Sequence, residues 1–189
     1  MAISTADFKT GLTIEYDGEI FQLLEFQHVK PGKGGAFVRS RLRNLRTGAT
    51  IDKTFRAGEK MEQAQITRRA TQFLYRAGDE YTFMDTETFD QISLRGEVVG
   101  EAVKFLRPDT EVLFQMFKEE EILGVELPHT MEFVVTQSDP GLRGDTATGG
   151  SKPATLETGA VVNVPLFINE GDRIRVDTRS GKYLERATS

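Results

Sequence analysis

The chain has no cysteine and no tryptophan, only two histidines and six prolines, and no apolar run approaching the ~20 residues that span a bilayer. Without cysteine there are no disulfides, thiolate nucleophiles or thiolate-held zinc and iron–sulfur centres, a composition that suits a reducing compartment. Met1 to Lys9 lacks the basic-then-apolar order of a secretory leader. The reading is a cytoplasmic chain with no membrane partner. Two histidines about a hundred positions apart, His28 and His129, leave little for acid–base chemistry near neutral pH. Each reads first as structural, although His28 stands beside a basic loop and can approach a phosphate.

Carboxylates are plentiful, as in Asp85-Thr86-Glu87 and Glu119-Glu120-Glu121, but with 29 acids in the chain such neighbours are expected. They match neither a calcium loop nor a compelling glycosidase pair. The expectation is no enzyme, no metal and no cofactor.

Eighteen glycines and thirteen phenylalanines fit many short strands joined by tight turns. Leu12–Tyr16 and Ile20–Phe26 flank Asp17-Gly18-Glu19, a hairpin signal. A second hairpin follows, through Lys30-Pro31-Gly32-Lys33-Gly34-Gly35 into Ala36–Arg43, and Thr50–Phe55 reads as a further strand. Four or five strands in the first third predict a small SH3-like barrel ending near residue 64. In the middle third, strands at Ile66–Tyr75, Glu80–Asp85, Thr88–Leu94, Glu111–Phe117 and Ile122–Leu127 surround a modest helical pattern over Val98–Leu106. That inventory is one of an OB barrel. In the last third, Thr130–Thr136 leads into a long polar stretch, Ser138–Pro153, before strands return at Ala160–Phe167, Arg173–Asp177 and Lys182–Arg186.

A net charge of −5 argues against nucleic acid until its distribution is read. Between Phe26 and Ile51 there is no acid, while Lys30, Lys33, Arg39, Arg41, Arg43 and Arg46 supply six positive charges; taking those six from −5 leaves −11 for the rest. Alternation along a strand puts Arg39, Arg41 and Arg43 on one side and Val38 and Leu42 on the other. Such a ridge suits phosphates, and it is also what an ordinary solvated strand face looks like. The tip Gly32-Lys33-Gly34-Gly35 is not a nucleotide-binding phosphate loop, because no Ser or Thr follows the lysine and a strand follows instead of a helix. It offers reach with little bulk: Pro31 fixes the entry, and the glycines clear side chains from around Lys33.

At these residues the chain resembles the bacterial elongation factor P family. Lys30-Pro31-Gly32-Lys33-Gly34-Gly35-Ala36-Phe37 is similar to that family's tip. A second stretch, from Lys152-Pro153-Ala154-Thr155 through Val161-Val162-Asn163-Val164-Pro165 to Asn169-Glu170-Gly171, is similar to its C-terminal signature. Asp139-Pro140-Gly141-Leu142-Arg143-Gly144-Asp145-Thr146 and Val176-Asp177-Thr178-Arg179-Ser180-Gly181 extend the resemblance over the full chain, most weakly in the middle.

The resemblance implies an all-β, L-shaped chain of three small barrels in tandem: an SH3-like (KOW-type) domain over 1–64, an OB-fold domain over 65–127 and a second OB-fold over 128–189. It implies a translation elongation factor and a monomer. Its partners would be both ribosomal subunits and the peptidyl-tRNA in the P site, and it would relieve stalling at consecutive prolines. The tip, Lys30, Pro31, Gly32, Lys33, Gly34 and Gly35, would reach the tRNA acceptor end. His28, Arg39, Arg41 and Arg43 would meet RNA phosphates. The loop with Arg143, Gly144, Asp145 and Thr146 would lie toward the small subunit and messenger RNA. In that family the residue matching Lys33 often carries a post-translational extension, which adds a modifying enzyme to the expected partners.

Overall fold

The computed structural model describes residues 1–140 and 150–188. Its regular structure is nearly all antiparallel strand, and the hydrogen bonds fall into three sheets.

The first sheet contains β1 (Ala2–Ser4), β2 (Thr13–Tyr16), β3 (Glu19–Val29), β4 (Phe37–Asn44), β5 (Thr50–Arg56) and β6 (Lys60–Gln63), in the order β1-β6-β2-β3-β4-β5. The turn between β2 and β3 is Asp17-Gly18, both with positive φ (51° and 75°), so Tyr16 pairs directly with Glu19. That twist-matching turn is the one an Asp-Gly pair favours in a two-residue hairpin. β1 and β6 are too short to carry a readable alternation; they pair with each other through Ala2↔Glu62 to Ser4↔Lys60. Ser4 and Asp7 cap a single 3-10 turn after β1.

The second sheet is built from β7 (Ile66–Ala77), β8 (Glu80–Asp85), β9 (Gln91–Arg95), β10 (Glu111–Phe117) and β11 (Glu121–Glu126), ordered β11-β10-β7-β8-β9. The expected helix over Val98–Leu106 is shorter and earlier. It is one turn, α1 (Gly96–Val99), followed by a 3-10 stretch over Gly100–Lys104, because Gly100 turns the backbone to φ +67°. β9 starts at Gln91 and not at Thr88, since Asp85 holds residues 86–90 in a turn.

The third sheet, β12 (Thr130–Ser138), β13 (Ser151–Leu156), β14 (Val161–Pro165), β15 (Arg173–Asp177) and β16 (Lys182–Arg186), has the order β14-β13-β12-β15-β16. Its edge strands β14 and β16 also touch, so the sheet curls on itself. β13 begins inside the segment read as loop. Pro153 lies just beyond the stretch paired with β12, Ala154 to Leu156, where a missing N–H costs no ladder bond on that side.

Contacts divide the chain into two compact units, Met1–Arg69 with Phe114–Gly124, and Ala70–Leu113 with Val125–Ser189. The first unit has one core around Ile14, Leu23, Val38, Leu42 and Phe55, with Phe8 and Tyr16 edge-on to the Phe55 ring. It has another where Phe117 and Leu123 meet Ile20 and Ala64. The second unit's largest core gathers Phe133, Val135, Leu156, Val164, Ile174 and Val176.

One ion pair in the first unit joins three turns. Arg46 donates two parallel hydrogen bonds to Glu121, at 2.9 and 3.0 Å, and a third of 2.9 Å to the Gly18 carbonyl. The hydrogen bonds from Arg46 hold the Glu121 carboxyl below the usual glutamate range, and those to Glu121 raise the guanidinium. Glu121 is 42% exposed, so solvent screens the pair to about 0.2–1 kcal/mol. A lowered carboxyl pKa contributes stability above the unfolded value and loses it as pH falls through the folded one. Urea unfolding from about pH 3 to 7 should show the advantage of wild type over Arg46→Ala shrinking at the acid end. A difference that does not vary with pH would contradict this origin.

Candidate nucleic-acid interface

The site grows from one antiparallel ladder. β3 and β4 pair from Phe21↔Asn44 to Val29↔Phe37, with a bulge at Leu24 between Leu23 and Glu25. Along β4, exposure alternates as the sequence requires: Val38, Ser40, Leu42 and Asn44 are buried, Arg39, Arg41 and Arg43 exposed. At ~3.3 Å per residue, Arg39 and Arg43 stand about 13 Å apart.

The ladder stops at Val29↔Phe37, so Lys30 through Ala36 cross the gap with no partner strand, and Lys30 through Gly35 are all exposed. Among the described residues neither Lys30 nor Lys33 forms an ion pair. Gly34 has φ +100°, a conformation that favours glycine. Gly32 and Gly35 do not, and a β-carbon at either would meet nothing within 4 Å. The fold therefore requires a glycine only at position 34. The other two leave room for something outside the chain.

The six cations of the acid-free window do not act alike. The register sets Arg41 between Glu25 on β3 and Asp52 on β5. Its guanidinium lies 3.7 Å from the first carboxylate and 3.2 Å from the second. Arg46 is held by Glu121. Arg39, opposite Gln27 and Thr54, sits 5.4 Å over the Phe37 ring, and Arg43 faces Gln22 and Thr50. Among the described residues no carboxylate pairs with Arg39 or Arg43. The cations left for a partner are thus Lys30, Lys33, Arg39 and Arg43.

His28 pairs with Val38, so it shares the face of the buried residues and lies opposite the arginines. Its ring stands edge-on to Phe26 at 5.7 Å. The structure brings the tip and the Arg39 side together and leaves His28 on the other face. Sequence reading missed Phe37, which carries the Arg39 guanidinium; aromatic and arginine two positions apart on one strand were the available signal. Arg143, Gly144, Asp145 and Thr146 lie outside the described residues.

Three family descriptions match in tandem: Elongation factor P (EF-P) KOW-like domain over residues 4–61, Elongation factor P (EF-P) OB domain over 66–125, and Elongation factor P, C-terminal over 131–186. The elongation factor P of Pelotomaculum thermopropionicum is 58% identical over 184 residues, covering 97% of this chain and 99% of that protein. The chain belongs to the elongation factor P family. The elongation factor P of Moorella thermoacetica is 57% identical over 185 residues, 98% of this chain and all of that protein. A solved structure, eukaryotic translation initiation factor 5A from Methanococcus jannaschii, aligns with TM-score 0.54 and 25% identity over 68% of this chain and 92% of its own. The elongation factor P match to the KOW-like domain encloses β3, the tip and β4 entire. The resemblance to bacterial elongation factor P and the all-β reading, with KOW-like and OB domains, are both borne out. The homologues are named as translation factors and not as members of an enzyme family.

Charge pairing makes a testable distinction within the ridge. With bulk tRNA as probe, Arg39→Ala and Arg43→Ala should each reduce the salt dependence of binding by about one unit of slope. Arg41→Ala should leave it nearly unchanged. Equal losses at all three positions would show that Glu25 and Asp52 do not hold Arg41.

Proposed function

We propose that this elongation factor binds the ribosome beside peptidyl-tRNA and promotes peptide-bond formation at consecutive prolines by steadying the tRNA acceptor end with Lys33. The observation that carries the reading is the tip: an exposed span beyond the last paired residues, holding a lysine that has no ion-pair partner among the described residues and stands between glycines that open space surrounds. Nothing among the described residues pairs with that lysine.

The chemistry asks for orientation more than for a reacting group. Proline's ring restricts the geometries of the nascent chain, and a reactant misplaced by about an ångström can lose ~10²-fold in rate. A charged amine delivered on a slim loop can order the acceptor end without entering the reaction. Lys30, Arg39 and Arg43 supply phosphate contacts that position without reading sequence. The acidic remainder of the chain discourages indiscriminate RNA binding and favours departure after the step.

The translation-factor name of the structural relative supports work on the ribosome. In this reading both ribosomal subunits and the P-site tRNA are partners. Gly144 and Asp145 contact the small subunit and messenger RNA, and the chain acts as a cytoplasmic monomer. Lys33 is the substrate of a modifying enzyme that lengthens its reach.

Lys33→Ala should abolish nearly all rescue of a polyproline reporter while ribosome binding, measured by co-sedimentation, is largely kept. A variant that translates the reporter as well as wild type does would end the tip mechanism. Loss of binding in step with loss of rescue would instead favour a general RNA-binding module.

A further inference from the structure

The turn from β8 to β9 holds an aromatic side chain where the backbone disfavours one. Asp85, itself buried, accepts from the backbone N–H groups of Glu87 (2.8 Å) and Thr88 (3.0 Å) through its carboxylate. Its backbone N–H donates to the Asp90 carbonyl and its carbonyl accepts from the Phe89 N–H, both at 2.8 Å. This network forces Phe89 to φ +63°, the left-handed region where glycine or asparagine is cheaper. The ring is 68% exposed and has no ring or cation partner among the described residues. Among the described non-glycine residues with positive φ it is the one aromatic; the other four are polar, the aspartates Asp17 and Asp109, which tolerate the conformation, and Lys118 and Glu119, of which Lys118 is ion-paired to Glu15. The strained backbone thus holds most of an apolar side chain in solvent.

Thr86 of the same turn lines a cavity of about 460 Å³. Val112, Leu113, Leu127 and Pro128 give it apolar walls, and Leu113 is 38% exposed. Glu111 stands at its rim, exposed. Glu126 and His129 also line it, and the turn carries Glu87 and Asp90, both exposed, on either side of Phe89. A phosphate backbone is repelled here, whereas lysine and arginine match both needs, with an apolar stem for the cavity and a cation for the rim.

We propose that Phe89 and this cavity form a docking surface for a basic protein segment, separate in chemistry from the cationic tip. Because it takes a ribosomal protein as the source of that segment, the surface rests on the function proposed above.

Purified ribosomes are the probe, and the full-length chain is used throughout. Phe89→Gly should keep or raise the thermal midpoint, since it relieves the strained backbone, while weakening ribosome binding about fivefold or more, as loss of an interface anchor does. Leu113→Lys, which sets a cation at the cavity, should weaken it too. A benzoylphenylalanine in place of Phe89 should photo-cross-link to a basic protein, in an adduct that survives nuclease and not protease. Wild-type affinity in Phe89→Gly, a lowered thermal midpoint in that variant, or a cross-link to ribosomal RNA would each overturn the docking surface alone. Failure of wild type to bind ribosomes would overturn the proposed function and this surface with it.

Discussion

The antiparallel register of β3, β4 and β5 is the constraint on which the basic end of the molecule depends. Alternation along β4 puts three arginines on one face, and the register then decides what each one meets. One bulge at Leu24 keeps both halves of β3 in step with the core while carrying the ladder out to Val29. From there the chain has no strand to pair with until Phe37. The lysine stands where the hydrogen-bond ladder gives out.

That arrangement separates holding from reaching. Arg41 and Arg46 are engaged by carboxylates and stiffen the sheet and its turns. Arg39 rests on an aromatic ring, which preorganises a guanidinium without neutralising it. Among the described residues Lys33 meets neither constraint, and the two glycines that the backbone does not need give it clearance. An ordinary flexible hairpin tip has no reason to keep residues small at positions where larger ones fit the fold.

Much of this was legible in the sequence. The hairpins, the alternation of β4 and the strands of the middle domain follow from period-two patterning and from Asp-Gly and Gly-rich turns. Short strands such as β1 and β6 were not legible, because three or four residues hold too little pattern and their pairing partners lie far away in the chain. β13 was hidden by Pro153, whose missing N–H falls outside the pairing with β12. The site was read half correctly. A scan for acid-free sequence finds six cations but is blind to Glu25 and Asp52 just beyond its ends, and antiparallel pairing folds those two acids back onto Arg41. The same register moves His28 off the arginine face. Phe89 gave no sequence signal, since only its backbone angle and exposure mark it.

The central claim is that the tip lysine, and not the arginine ridge as a whole, is the working end. A cryo-electron-microscopy structure of the chain on a polyproline-stalled ribosome with peptidyl-tRNA tests it most directly. Lys33, or the group it carries, should stand at the tRNA acceptor end, with Arg39 beside phosphates and Arg41 still held by Glu25 and Asp52. Density placing the tip away from the tRNA, with the arginine face making the contact instead, would contradict it.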